Sequence, residues 1–388
     1  PTGIGKTRIV EEAVDPSDVD LIEVRAEPYG AANPYRPYRD PARNLLGIDR
    51  GSNDAMAKQF LDSLRASAPD LVPFAPLLAD IVQVEVPDTD VSRAIEPRFR
   101  LDRTVDAFVE LLEAVHGEPL ILVGEDMHWA DPASETLIAR LAKEAHAHPW
   151  LVIQTCRNVI QQEAVETLVL EPFTSDETRE LVHVATEAAP LRPDIEDAIV
   201  ERSSGSPLFA LELVKVARDT GDVASLPTSL DGVVGSQIDS LEPLPRRVLG
   251  YLSVLGRSFR VPVARELLDS QGIRLDEATR ERLDEFLEGD GPGRLQFRHA
   301  MVRDTAYEGL SFRRRRVLHL EAGRMVLDST PGPKDAVADI LGLHFHLGGD
   351  NERAWEYCRL AGDRMMERYA NVEAAAQFER AIESARRL

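Results

Sequence analysis

The sequence predicts an α/β core with a parallel sheet, followed by an all-α lid, a winged-helix-like domain and α-helical repeats. Three observations support this prediction. The chain opens on a glycine-rich turn, residues 3–7, that runs directly into a helix-forming segment. A short apolar run, residues 120–123, leads to two consecutive carboxylates. From Asp335 onward the apolar residues recur with a helical period.

Composition limits the classes of protein to consider. The 388 residues carry 45 lysines and arginines against 67 aspartates and glutamates, a net charge of −22. This acidic balance argues against nucleic-acid binding, because binding to a phosphate backbone needs lysine and arginine. Cys156 and Cys358 are the two cysteines of the sequence, which favours a reducing, cytoplasmic setting. The apolar runs are far shorter than the roughly 18 residues of a membrane helix, so no membrane partner is expected.

The first motif resembles the end of a phosphate-binding loop. Gly3-Ile4-Gly5-Lys6-Thr7 matches the last five positions of G-x-x-x-x-G-K-[ST], and the first glycine would stand just before Pro1. We therefore expect a fragment whose first strand is missing. Lys6 would reach the β- and γ-phosphates, and the Thr7 hydroxyl would ligate Mg²⁺. The alternative is a glycine turn that caps a helix by chance. The predicted nucleotide-binding residues of this segment are Gly3, Gly5, Lys6, Thr7 and Arg8.

A second motif places two acidic residues at the end of a predicted strand. The apolar run 120–123 and Gly124 precede Glu125 and Asp126, the pattern of a buried parallel strand that ends in carboxylates. Open α/β sheets bind ligands at the carboxyl ends of their strands. We expect Glu125 to hold Mg²⁺ through water and Asp126 to orient the attacking water. Gly124 stands where the motif usually has its last apolar strand residue. Which of the two acids has which role therefore stays open. The alternative is a strand that ends in solvated acids.

A third strand, residues 151–155, ends close to an arginine. Thr155 and Arg157 are candidates to sense a γ-phosphate, since the planar guanidinium meets phosphate oxygens with two hydrogen bonds. The alternative for Arg157 is a side chain that leaves the strand for solvent. Residues 21–25 and 167–170 complete the predicted parallel sheet.

Longer stretches resemble one family. Residues 125–134, E-D-M-H-W-A-D-P-A-S, resemble a segment of signal-transducing P-loop ATPases of the STAND type. These AAA-like modules occur in large LuxR-type regulators, in maltose-activator-like proteins and fused to class III adenylate or guanylate cyclases. Further matches follow in the family's order at residues 170–173, 204–213 and 297–307.

This resemblance implies roles for individual residues. Pro207 of the G-x-P motif would pack near adenine, and His299 would touch the β-phosphate of bound ADP. His128 and Trp129 would order the loop beyond the acidic strand. The alternatives are a plain loop-to-helix junction at Gly205 and Pro207, and a histidine packed in a winged-helix core.

Four domains are expected: an ATPase core (1–173), a helical lid (174–226), a winged-helix-like domain (227–328) and the start of tetratricopeptide-like repeats (329–388). Ser175 and Asp176 are predicted to cap the first lid helix. The basic run 313–316 is expected on a solvated helix face rather than on nucleic acid. The predicted C-terminal helices are 244–255, 261–269, 275–288, 312–327, 335–347, 351–369 and 372–387.

The leading hypothesis is an ATP-dependent signalling switch with slow, Mg²⁺-dependent hydrolysis. It would regulate an output domain outside this segment, either a transcription regulator or a nucleotide cyclase. The repeats would sense a protein partner or a small-molecule inducer, and self-association is possible for such modules. The alternative hypotheses are an interaction scaffold with a vestigial ATP site and the regulatory segment of a cyclase.

Overall fold

The chain forms two compact units. The computed structural model describes residues 3–14, 19–26, 34–49, 51–116, 119–157, 165–187, 189–291, 293–330, 334–367 and 370–388. The lid unit comprises residues 1–9 and 168–325, and the core unit comprises residues 10–167 and 326–388. The four domain boundaries expected from the sequence stay a prediction.

The elements follow the chain in this order. The strands are β1 (Asp20–Arg25), β2 (Leu120–Glu125), β3 (Trp150–Gln154), β4 (Ser258–Arg260), β5 (Leu287–Gly289) and β6 (Arg294–Phe297). The helices are α1 (Lys6–Ala13), α2 (Arg39–Leu45), α3 (Asn53–Ser67), α4 (Ala75–Val82), α5 (Asp90–Ala94), α6 (Pro97–Val115), α7 (Pro132–Glu144), α8 (Ser175–Thr186), α9 (Pro193–Ser203), α10 (Pro207–Thr220), α11 (Leu230–Ser240), α12 (Pro243–Leu252), α13 (Val261–Ser270), α14 (Glu277–Leu283), α15 (Ala300–Glu308), α16 (Phe312–Ser329), α17 (Ala338–Gly348), α18 (Asn351–Glu367) and α19 (Asn371–Ala385). No helix in these described ranges is both long and apolar enough to cross a membrane.

The core unit contains the predicted parallel sheet. Its strand order is β1-β2-β3, and both pairs are parallel. Leu120, Leu122 and Val123 of the central strand are buried, as expected for a strand covered on both faces. The register places Arg25 opposite Glu125. The three carboxyl ends therefore meet at one edge of the sheet, which is where the acids were predicted.

Two local predictions are wrong. Residues 167–170 form no strand, and Leu168 is 76% exposed. A β-prone segment becomes a strand only when a neighbour satisfies its backbone groups, and none pairs with it in the described chain. The first lid helix is capped by Thr174 rather than by Ser175 or Asp176. The Thr174 hydroxyl accepts from the Glu177 amide, and the Glu177 carboxylate accepts from the Thr174 amide.

The winged-helix-like prediction is confirmed within the lid unit. Helices α12, α13 and α14 accompany an antiparallel sheet of order β4-β6-β5. Phe259 and Phe297 meet edge to face in its core, with ring centroids 5.9 Å apart. The helix predicted over 275–288 is shorter, because Leu287 pairs with Phe297 and starts a strand instead.

The C-terminal helices α17, α18 and α19 pack as consecutive antiparallel neighbours, which confirms the predicted helical array. Glycines allow their close approach. A Cβ atom on Gly342 would lie 2.7 Å from the Cys358 sulfur, and one on Gly362 would lie 2.5 Å from the Phe378 ring. Both distances are shorter than a Cβ atom tolerates, so the packing of these helices depends on glycine.

Candidate functional site

The phosphate turn, residues 3–7, has the backbone that its motif requires. Gly3 and Gly5 have φ values of 75° and 100°, in the left-handed region that favours glycine. Helix α1 begins directly afterwards at Lys6. Thr7 and Arg8 are exposed. The turn-then-helix geometry agrees with the motif, and the roles of these side chains stay predictions.

The phosphate turn packs against the G-x-P segment within the lid unit. The Leu208 amide donates to the Gly3 carbonyl at 3.2 Å, and the Ser206 hydroxyl donates to the same oxygen at 3.5 Å. Ser206 also accepts from the Phe209 amide and so caps α10. The structure thus brings the turn to the start of the helix that opens with Pro207.

A third motif joins this contact. Gly205 has a φ of 75°, and a Cβ atom there would overlap the Phe173 carbonyl oxygen. The Phe173 amide donates to the Gly205 carbonyl at 2.9 Å. Segments 3–7, 170–173 and 204–213, which are far apart in sequence, are therefore held together by backbone contacts that need glycine.

His299 precedes α15 and is exposed rather than packed in the winged-helix core. Partial desolvation lowers the pKa of its ring, and the negative charge of Glu212 acts against that shift. Glu212 is a buried residue of α10 that accepts from Lys215 at 2.6 Å and from Gln237 at 2.5 Å. The sequence assigns Glu212 no role, although it stands inside the 204–213 motif.

In the core unit, Glu125 ends β2 as predicted but has a partner that the sequence does not reveal. Arg25 donates from Nε to Glu125 Oε2 at 2.7 Å and also forms an ion pair with that oxygen. Glu125 is buried, whereas the side chain of Arg25 is about one third exposed. A carboxylate held in this way must exchange or share its guanidinium partner before it can serve a metal ion.

Asp126 and Thr155 are brought together. Asp126 adopts a left-handed backbone, and its amide donates to the Thr155 hydroxyl at 3.0 Å. Met127 donates its amide to the Thr155 carbonyl, also at 3.0 Å. A Cβ atom on Gly124 would lie 2.9 Å from Met127 Cγ, which explains the glycine in this strand. Thr155 thus supports the backbone that carries Asp126.

Arg157 is exposed after β3, as the alternative expected, and its guanidinium also lies over an aromatic ring. Its guanidinium carbon is 5.8 Å from the centre of the Trp129 ring, and the His128 ring lies 5.1 Å from the same ring. These contacts agree with the expectation that His128 and Trp129 order this loop. Phosphate sensing by Arg157 stays a prediction.

Asp131 closes the acidic loop, which we define as residues 124–131. Its carboxylate accepts from the Ser134 amide at 2.9 Å, the Ser134 hydroxyl at 2.7 Å and the Tyr35 amide at 3.1 Å. Burial raises the pKa of Asp131, and the bonds from Ser134 and Tyr35 oppose the shift. Asp131 caps the start of α7. The H-W-A-D stretch, in which it is the aspartate, is the sequence signal that could have revealed this role.

Among the described residues no cluster of three or more histidine, cysteine or carboxylate side chains forms a ready metal site. The donor set around the phosphate turn instead fits a nucleotide with its metal ion. Open space lies beside Gly5, where a Cβ atom would meet nothing within 4 Å. Backbone amides at the start of α1 and the exposed Thr7 hydroxyl are the groups that such a ligand uses.

One family model and several known proteins resemble this chain. Residues 1–153 match the family model of the AAA ATPase domain. An uncharacterized protein of Rhizobium meliloti is 27% identical over 311 residues, which cover 74% of this chain and 30% of that protein. A solved STAND protein with a tetratricopeptide repeat sensor, from Pyrococcus horikoshii, is similar at 14% identity with a TM-score of 0.48. That match covers 99% of this chain and 58% of the other. The chain thus spans only part of these relatives. The match of residues 1–153 agrees with the ATPase core that the motifs predicted there, and the structure has the predicted parallel sheet and C-terminal helical array.

Proposed function

We propose that the protein is a nucleotide-dependent signalling switch that binds ATP with Mg²⁺ and hydrolyses it slowly. The match of residues 1–153 to the AAA ATPase domain, together with the phosphate turn that opens α1, carries this proposal. The output would be a transcription regulator or a nucleotide cyclase. The helical array would bind a protein partner or a small-molecule inducer, with self-association and a cytoplasmic location as further parts of the proposal.

Different residues of the chain bind the phosphates, hold the metal ion and orient the attacking water. Lys6 offsets phosphate charge, while the backbone amides of the phosphate turn bind phosphate oxygens. Thr7 and, through water, Glu125 would hold Mg²⁺, which supplies charge neutralisation for in-line attack. Asp126 orients the attacking water, and Arg157 stabilises charge on the transferred group.

The lid unit supplies the remaining groups. Pro207 packs near adenine, and His299 touches the β-phosphate of ADP and so reports the nucleotide state. These assignments rest on the resemblance to STAND-type ATPases and on the contact of the G-x-P segment with the phosphate turn.

The test is ATP affinity in the intact protein. Lys6→Ala should weaken ATP binding at least about tenfold, since a charged hydrogen bond to phosphate contributes about 1.5–3 kcal/mol. Lys58→Ala is the matched control, because Lys58 is an exposed lysine of α3. Equal ATP affinity of the wild type and Lys6→Ala contradicts the proposal.

One observation favours the scaffold alternative. Glu125 is already paired with Arg25, as expected if the acidic pair no longer meets a metal ion. A wild-type protein that stays empty at millimolar ATP supports the scaffold. Nucleotide retained through purification supports the switch.

A further inference from the structure

Three arginines lie on one side of the short helical segment that precedes and opens α2. Arg36 begins a 3-10 helix, and the Arg39 amide at the end of that helix donates to the Arg36 carbonyl. Arg43 follows Arg39 by four residues within α2, and residues three or four apart in a helix are neighbours on its surface. We call Arg36, Arg39 and Arg43 the arginine cluster. It belongs to the core unit and shares no residue with the phosphate turn or the acidic loop.

Arg39 is the buried member of the cluster, and its guanidinium lacks partners. The residue is only 9% exposed. Its Nε and Nη2 atoms are buried, and neither has a hydrogen-bond partner among the described residues. Within the described ranges, Arg39 is the only arginine with two such atoms. A buried guanidinium left unpaired is costly, because it has lost water without gaining an acceptor. An acceptor from outside the chain would remove this cost.

The two unpaired atoms form one edge of the guanidinium. This edge donates two parallel hydrogen bonds to the oxygens of a carboxylate or a phosphate. The chain uses it elsewhere, since Arg192 donates from Nε to Asp194 Oδ1 at 3.1 Å and from Nη2 to Asp194 Oδ2 at 2.9 Å. The buried Arg303 donates from Nε to the Ser253 carbonyl at 2.9 Å. In Arg39 the same edge meets no acceptor of the described chain.

Other contacts hold the cluster in place. The Tyr35 amide donates to Asp131 Oδ1 at 3.1 Å, which fixes the start of the segment. Arg43 donates from Nε to the Val82 carbonyl at 2.7 Å and from Nη2 to the Gln83 carbonyl at 3.1 Å. These bonds tie α2 to the C-terminal end of α4. A site that is ordered before binding loses little conformational entropy when a ligand arrives.

The charge around Arg39 favours a multiply charged anion. Burial lowers the pKa of its guanidinium, and the positive charges of Arg36 and Arg43 add to this shift. The negative charges of Asp339 and Asp40 oppose the shift, but neither carboxylate accepts a hydrogen bond from Nε or Nη2. A phosphate group carries close to two negative charges near neutral pH and three acceptor oxygens. It therefore relieves more of this repulsion than a single carboxylate does.

We propose that the arginine cluster is a binding site for the phosphate group of a small molecule, with Arg39 donating from Nε and Nη2 to two phosphate oxygens. Because Arg39 is almost fully buried, its unpaired edge suits the phosphate of a small molecule better than the surface of a macromolecule. The site gives the core unit a ligand other than the nucleotide of the phosphate turn. It does not depend on the proposed function.

Phosphate binding to the intact protein tests the site. Lys6→Ala is the background, so that the phosphate turn contributes little. Titration calorimetry with inorganic phosphate should give a dissociation constant of about 1 mM or lower. Arg39→Met in this background should weaken binding at least about tenfold, because two charge-assisted hydrogen bonds are lost. Arg65→Met, at an exposed arginine of α3, is the matched control. No binding in the background, or equal affinity in Arg39→Met, overturns the proposal.

Denaturant unfolding provides a second test and shows whether the variant folds. Without phosphate, Arg39→Met should be at least as stable as the background, since an apolar side chain replaces an unpaired buried charge. Phosphate should raise the unfolding midpoint of the background and of Arg65→Met, but not that of Arg39→Met. Arg39→Lys keeps the charge without the two-donor edge and should recover only part of the binding. Lower stability of Arg39→Met without phosphate would show that the chain itself satisfies Arg39, and so overturns the proposal.

A comparison of probes identifies the source of the phosphate group. Glucose 6-phosphate that binds more tightly than inorganic phosphate supports a phosphorylated metabolite as the ligand, and the reverse order supports free phosphate. Malonate that binds more tightly than both overturns the assignment to phosphate. A wild type that binds no ATP contradicts the proposed function alone, because the phosphate titrations still decide the site.

Discussion

The phosphate turn and the acidic loop are held in place by different physical means. In the lid unit, the turn is fixed by backbone hydrogen bonds and by glycines, with Gly3 against Leu208 and Gly205 against Phe173. In the core unit, the acidic loop has backbone hydrogen bonds at Thr155 as well, and it adds contacts of charged side chains, of which the pair between Arg25 and Glu125 is the clearest.

This difference separates a fixed region from an adjustable one. A contact that depends on the absence of a Cβ atom involves no charge, so it responds little to salt or pH. Ion pairs and buried carboxylates respond to both. We infer that the contacts of the acidic loop are more sensitive to salt and pH than those of the phosphate turn. The predictions below test the two sides of this contrast, and one of them tests the pH sensitivity of the core unit at His344.

The largest expected effect lies in the acidic loop. Asp126→Asn removes the carboxylate that orients water and should lower ATP turnover about 100-fold while ATP affinity stays within about twofold. Glu135→Gln, an exposed acid in the first turn of α7, is the control and should leave turnover unchanged. Steady-state hydrolysis and nucleotide titration measure the two quantities. A parallel loss of affinity in Asp126→Asn would show that the residue serves binding instead.

The free energy of unfolding of glycine variants tests the contacts that hold the phosphate turn. Gly205→Ala combines a left-handed backbone with overlap of the Phe173 carbonyl, and should lower the free energy of unfolding by about 3 kcal/mol. Gly221→Ala has a similar φ of 64° but open space around the new Cβ atom, so the expected loss is about 1 kcal/mol. Denaturant unfolding measures both variants. Equal losses would mean that the close approach to Phe173 is not what requires glycine.

Local patterns predicted much of the fold. The run 120–123 and the helices α17–α19 have strong apolar periods, and the structure has elements within a few residues of each prediction. Residues 167–170 have a similar local pattern and form no strand. The two segments differ in whether a neighbouring strand pairs with them. Strand formation depends on that pairing, which a single segment does not encode.

In the candidate site too, some features can be predicted from the sequence and others depend on tertiary packing. Residues 3–7 and Glu125 and Asp126 are predictable because their spacing along the chain is itself the signal. The pairing of Glu125 with Arg25 is not, since it follows from the register of two strands separated by 100 residues.

Low pH should destabilise the core unit. Burial lowers the pKa of His344, in α17, to about 4. The unfolded chain takes up this proton near pH 6.5, so the stabilising effect is complete above that pH and declines as the pH falls towards 4. Between pH 7 and pH 5 the expected loss is about 2 kcal/mol. His344→Gln, which cannot titrate, should remove this part of the pH dependence in denaturant unfolding. The same pH slope in wild type and His344→Gln would contradict the assignment.

The smallest expected effect concerns the ion pair itself. A double-mutant cycle with Arg25→Met and Glu125→Gln should give a coupling of about 1 kcal/mol, reduced because Arg25 is partly exposed. The pair of Arg65 and Asp62, which is exposed on both sides at 2.9 Å, is the control and should give about 0.3 kcal/mol. The coupling of the first pair should fall as salt is raised, whereas the cost of Gly205→Ala should not. A coupling that is zero, or a salt dependence shared with Gly205→Ala, would remove the contrast between a loop held by charge and a turn held by shape.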